Sequence, residues 1–97
     1  MPADRTDRGA LARRRREIEE VDRSIVVLLA ARLEAAQRAL RARVPRTGRI
    51  TDPAQERRIV ERSRRWAREL DVPEEIVEQL FRSLLAAGKR RFRSSAG

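Results

Sequence analysis

Arg32, Arg43 and Glu56 stand where helices normally carry Leu or Ala, and Arg15 borders the same surface. Apolar residues recur at Ile18, Val21, Ile25, Leu28, Leu29, Ala36, Ala39 and Leu40, the three-and-four spacing of an amphipathic helix. Continued along the chain, that stripe lands on Arg32 and then on Arg43. The two lie about three turns apart and within roughly 20° of one direction. An unpaired buried guanidinium is costly, so two of them aimed inward call for an anion between them. Glu56 falls on the stripe of a later helix, one turn before Ile59 and Val60. Arg15 is one turn before Ile18, about 25 Å along the axis from Arg32 and too far to share its pocket within one subunit. In an antiparallel pair of chains, Arg15 of the second copy reaches that pocket. Three guanidiniums and one carboxylate suit a small dianion that carries a neutral or positive polar group.

The elements that must position these residues are three helices: long, short and medium. The periodicity predicts the first from Leu11 to Val44, preceded by a flexible arm over 1–10 and ended by Pro45 and Gly48 in VPRTGRITD. Its basic run Arg13–Arg16 is followed by Glu17, Glu19 and Glu20 at pairing distance along the helix. Such a helix is about 50 Å long, more than the two shorter ones can cover, so its geometry calls for a homodimer.

Asp52-Pro53 opens the second helix as an N-cap followed by Pro at the first helical position. Gln55, three residues on, fits a capping box. Its apolar face is Ile59, Val60, Ser63, Trp66, Ala67 and Leu70. Asp71 and Pro73 are read as the start of the third helix, with Glu74 three after the cap. Ile76, Val77, Leu80, Phe81, Leu84 and Leu85 form its inner face, continued by Gly88 and Phe92. Gly88 implies close packing, room for a ligand or a fraying end. Lys89 falls off the stripe. Residues 93–97 are read as a flexible tail. The fold class is all-α, with one helical domain over 11–92.

Composition narrows the chemistry. Ninety-seven residues make one small domain with a thin core for a monomer. The chain has neither cysteine nor histidine, so a thiolate zinc site and a Ser-His-Asp triad cannot be built. No metal or cofactor is expected. No apolar run approaches the ~20 residues of a membrane span, and the polar N-terminus lacks a signal-peptide apolar stretch. The expectation is a cytoplasmic protein. Net charge of +9 invites a nucleic-acid reading, but aromatics are only 3 % of the chain, which argues against base stacking. Every basic residue except Lys89 is arginine, the bias of a GC-rich genome, and most are read as a solvated helix face.

Taken in order, Arg15-x-x-Ile18-x-x-Val21-Asp22, Leu28-Leu29-x-x-Arg32, Arg43, Asp52-Pro53-x-x-Glu56 and Leu80-Phe81 resemble the all-helical class of chorismate mutases. The resemblance covers about residues 11–92 without a gap. It implies an intertwined helical homodimer with two equivalent sites and a small dianionic substrate. It implies that Arg15 of the partner copy and Arg32 hold the substrate carboxylates. It further implies that Arg43 contacts the ether oxygen and a carboxylate, and that Asp52, through its backbone, and Glu56 meet the 4-hydroxyl. Three positions depart from the family: Gln55 where Arg is usual, Gly88 where Ser is usual, and Phe92 where Gln or Glu contacts the ether oxygen.

The implied reaction, chorismate to prephenate, is pericyclic and needs neither nucleophile nor proton transfer. It can run on orientation of the enolpyruvyl arm and on a cation placed where the breaking C–O bond leaves negative charge. Arg43 is the candidate cation, with Arg15 and Arg32 as clamps and Glu56 completing the catalytic set. The alternatives on the same fold are a 4-amino-4-deoxychorismate mutase and an isochorismate pyruvate lyase. A mutase-like dimer activated by a shikimate-pathway partner enzyme is a further reading, and a basic helical nucleic-acid-binding module is the remote one.

Overall fold

The computed structural model describes residues 2–96, with side chains described for 7–95. Three helices follow one another, α1 (Pro2–Thr47), α2 (Pro53–Glu69) and α3 (Glu74–Ala96), and the described residues contain no strand. The fold is all-α, as the periodicity predicts. Helix α1 takes in positions 2–10 and α3 positions 93–96, which the sequence reading leaves outside the helices as arm and tail; Met1 and Gly97 lie outside the described residues. Among the described residues no helix is long and apolar enough to cross a membrane.

The chain divides into two compact units, Met1–Arg32 and Leu33–Gly97. The first is the N-terminal part of α1. Arg14 pairs with Glu17 at 3.2 Å across one turn, with both side chains exposed. Pairs of that kind contribute at most about 1 kcal/mol. The apolar stripe of this unit stays open, with Ile18 59 %, Val21 59 %, Ile25 48 % and Leu28 68 % exposed. Helices of this kind draw most of their stability from covering such a stripe rather than from intrinsic propensity.

The second unit packs the end of α1 with α2 and α3. Leu40, Ile59, Val60 and Ala67 form its apolar core, with Gln37 and Ser63 buried among them. The Ser63 hydroxyl donates to the Val60 carbonyl at 2.7 Å, which satisfies a polar group in a dry place. Trp66 and Leu70, read from periodicity as core, correct that reading: Leu70 is 75 % exposed where Ala67 is 2 %. Trp66 instead lies under the Arg62 guanidinium, 5.0 Å from its ring centre, a cation–π contact at the surface. On α3, Ile76 and Leu80 are likewise exposed, whereas Val77, Phe81, Leu84 and Leu85 are half-buried.

Each helix end has a local cause. Pro45 lies inside α1 and does not end it, contrary to the sequence reading. A proline removes one helical N–H, and near a C-terminus the loss leaves few bonds to disrupt. The stop comes at Gly48, whose φ of +71° is open to glycine without strain and whose N–H bonds the Val44 carbonyl at 2.7 Å. Asp52 caps α2 as expected, with its side chain accepting from the Gln55 N–H at 3.1 Å and Pro53 following it. The Gln55 side chain turns to Arg58 Nε (3.0 Å), so the second arm of the capping box is not the bond it makes.

Asp71 is also reassigned. It has a φ of 56° and ends α2 rather than starting α3. The Val72 N–H reaches back to the Ala67 carbonyl at 2.8 Å and the Asp71 N–H to Arg68 at 3.4 Å, the paired bonds of a left-handed helix stop. Helix α3 begins at Glu74, with the Pro73 carbonyl accepting from the Val77 N–H at 3.4 Å. Glu74 spends its carboxylate on Arg68 (2.6 Å) and Arg64 (3.3 Å), joining α3 to α2.

Candidate active site

In the Leu33–Gly97 unit, charged side chains gather where the α1–α2 connection passes the start of α2 and the middle of α3. Arg43, half-buried in the last turns of α1, donates from Nη2 to the Ile50 carbonyl at 2.6 Å. Its Nη1 lies 3.9 Å from Asp52 Oδ2. Asp52 thus does two jobs, with Oδ1 capping α2 and Oδ2 facing a guanidinium. Arg43 is held by the loop that it would have to face in order to meet a ligand there.

Glu56 lies in the first turn of α2, where the unpaired N–H groups of the helix start favour a carboxylate. Its two oxygens are 3.0 and 3.3 Å from Lys89 Nζ, which also stands 3.5 Å from Thr51 Oγ1. The Lys89 and Glu56 side chains are only 21 % and 26 % exposed, so water screens this pair less than it screens Arg14–Glu17. Lys89 is the residue that periodicity misplaced. Its backbone position is off the stripe, but a four-carbon stem can carry the ammonium round to the packed side of the helix. One sequence signal pointed to it: in a chain whose other bases are all arginine, it is the single lysine.

Two hollows open here. One, about 490 Å³, runs between α2 and α3 and has Thr51, Pro53, Glu56, Val60, Leu85 and Lys89 in its wall. The other, about 450 Å³, lies over the α1–α2 connection beside Arg43, Thr47, Arg49 and Asp52. Thr51 and Pro53 belong to both. Their volumes lie in the range of ~300–1,000 Å³ that small-molecule sites occupy.

The remaining expected site residues divide by unit. Gly88 is buried, and its carbonyl accepts from Gln37 Nε2 at 3.0 Å. A Cβ built on it would stand 3.6 Å from the Ala36 Cβ, an ordinary contact. Of the three readings open from the sequence, the glycine is packed inside α3 against Ala36 and is not at a fraying end, but that packing does not itself require the absence of a side chain. Because the space admits a methyl group, Gly88→Ala should raise stability by about 0.5–1 kcal/mol through lost unfolded-chain entropy, read as a higher melting temperature. A lower one would mean that Ala36 cannot accept the contact. Phe92, one turn on, is half-buried, and Gln55 is exposed. Arg15 and Arg32 belong to the first unit, where Arg15 is exposed and Arg32 half-buried.

The arrangement can bind and orient. Two cations, a loop-braced arginine facing Asp52 and a lysine paired with Glu56, offer charge and hydrogen-bond donors and acceptors to a ligand. A family model described as chorismate mutase type II matches residues 14–92. No curated protein and no solved structure gives a significant match.

Proposed function

Since the chain belongs to the type II chorismate mutase family and is an isomerase of that kind, we propose that its substrate is chorismate itself, rearranged to prephenate in a site shared by two copies of the chain. The observation that carries this reading is the half-buried set of Arg43, Asp52, Glu56 and Lys89 beside two hollows that share Thr51 and Pro53, with Glu56 and Lys89 in the wall of one and Arg43 and Asp52 in the wall of the other. It offers charge and hydrogen bonds without a nucleophile–base pair, which is what a pericyclic reaction requires.

In this reading Arg15 of one copy and Arg32 of the other clamp the two carboxylates and so hold the enolpyruvyl arm folded over the ring. The rearrangement has one reactant, so orientation of that kind removes the part of the barrier that goes into ordering the flexible arm. Arg43 places positive charge at the ether oxygen, where electron density grows as the C–O bond breaks. That contact strengthens in the transition state and so accelerates the reaction rather than only binding substrate. Glu56 and the backbone of Asp52 accept from the 4-hydroxyl, while Gln55, Gly88 and Phe92 stand at positions that border the substrate in the family. The reaction as proposed uses no cofactor.

The dimer is supported by the open stripe Ile18, Val21, Ile25 and Leu28, which a second copy of the same helix would cover. The location proposed is the cytoplasm. The test offers purified protein chorismate, 4-amino-4-deoxychorismate and isochorismate in parallel and quantifies products by chromatography. Prephenate from chorismate is the expected product. Pyruvate released from isochorismate, with no prephenate from chorismate, would assign the lyase reaction instead.

A further inference from the structure

We infer that Lys89, through its ion pair with Glu56, makes the site select an uncharged hydroxyl and reject an ammonium at the substrate position that Glu56 meets. The inference rests on the chorismate reading above. It deepens that reading by naming a residue that sets which substrate is taken.

The geometry is specific. Lys89 Nζ straddles the Glu56 carboxylate at 3.0 and 3.3 Å and has Thr51 Oγ1 at 3.5 Å, so the ammonium bridges α3, the start of α2 and the connection before it. All three residues line the hollow between α2 and α3. A carboxylate offers about four lone-pair directions, and the lysine takes only two of them. A hydroxyl can still donate to Glu56 while Lys89 fixes the orientation of the acceptor. An ammonium arriving at the same place meets a carboxylate already neutralised and a like charge within reach.

The same hollow also holds the charged side chains of Arg57, Glu61, Arg64, Glu78 and Arg82. Glu78 is engaged by Arg64 at 3.4 Å and by Arg82 at 3.7 Å, and of the hollow's carboxylates Glu56 is the one that Lys89 pairs with, at 3.0 Å. Discrimination then comes from a repulsive element built beside the attractive one, the usual route to specificity between near-identical ligands. The residue type matters as well. A lysine is a compact point charge, whereas the broader planar guanidinium of an arginine would fill more of the space beside the carboxylate that the hydroxyl must enter. In a chain that uses arginine for every other basic side chain, lysine stands where the broader group would be in the way.

The test compares kcat/KM for chorismate with kcat/KM for 4-amino-4-deoxychorismate in the wild type, Lys89→Met, Lys89→Gln and Lys89→Arg. Circular dichroism confirms that each variant is helical. Wild type should favour the hydroxyl substrate. Lys89→Met, which keeps the stem and removes the charge, should shift the ratio toward the ammonium substrate by at least about tenfold, as relief of like-charge repulsion requires. Lys89→Gln should move it the same way, so a folding defect in one variant does not decide the matter. Lys89→Arg should keep the wild-type preference while raising KM for chorismate. A wild type that converts chorismate, with a ratio unmoved in both neutral variants, overturns this inference alone. A wild type that converts neither compound overturns it together with the function proposed above.

Discussion

Arg32→Ala is expected to abolish measurable turnover, a fall in kcat/KM of about 10³ or more, while the protein stays helical and keeps the proposed dimer. Arg32 stands on the stripe of α1 where Leu or Ala would pack, and it is half-buried. In the proposed role its guanidinium holds a substrate carboxylate through two parallel hydrogen bonds, the strongest neutral-pH contact available to that group. Removal of one preorganised donor typically costs ~10²–10³ in rate, and a clamp made of two costs more.

Stability should move the other way or not at all. Alanine is the best helix former, and the substitution takes away a charge that is costly to shield from water. Steady-state kinetics, thermal melting and sedimentation of the same sample separate the two effects. Undiminished turnover in this variant would remove Arg32 from the site. Lost turnover with lost helicity would assign it to folding instead.

Arg43 gives the second large effect and a sharper choice. Its guanidinium both braces the α1–α2 connection, through the 2.6 Å bond to the Ile50 carbonyl, and supplies the proposed charge at the ether oxygen. Arg43→Met should lower kcat by about 10²–10³, the usual cost of a missing transition-state donor. Arg43→Lys keeps the charge on a shorter reach and should hold kcat within about tenfold of wild type, one lost hydrogen bond of ordinary strength. The pair of variants is read by stopped-flow or steady-state loss of chorismate. If both fall equally, the geometry of the guanidinium and its hold on the loop matter more than its charge.

The helices and the caps that depend on short-range chemistry were legible in the sequence. Asp52-Pro53 carries its own explanation, since the side-chain acceptor and the preset φ act within three residues. That Arg43 and Glu56 are half-buried was legible for a similar reason: an ionic group on an apolar stripe has to be explained wherever it falls.

What could not be read is what depends on the neighbouring helix. Trp66 and Leu70 obey the period of α2, but the buried stretch stops at Ala67 because the chain turns back there. Asp71 looks like an N-cap by type, yet a left-handed φ makes it the stop of the preceding helix, a role that Asp can fill as well as Asn. Lys89 was lost because periodicity follows Cβ directions and says nothing of where a long flexible side chain ends. Pro45 shows that a breaker acts only where there are bonds left to break.

The central claim, that arginines from two chains close around one dianion, has a direct test by complementation. Arg15→Ala and Arg32→Ala, each inactive alone, are unfolded and refolded together in equal amounts. If Arg15 serves the partner's site, each mixed dimer regains one site with both arginines, and random pairing returns about a quarter of wild-type activity. Activity of the mixture no greater than the sum of the two separate variants, with mixed dimers demonstrated by mass spectrometry, would contradict the account.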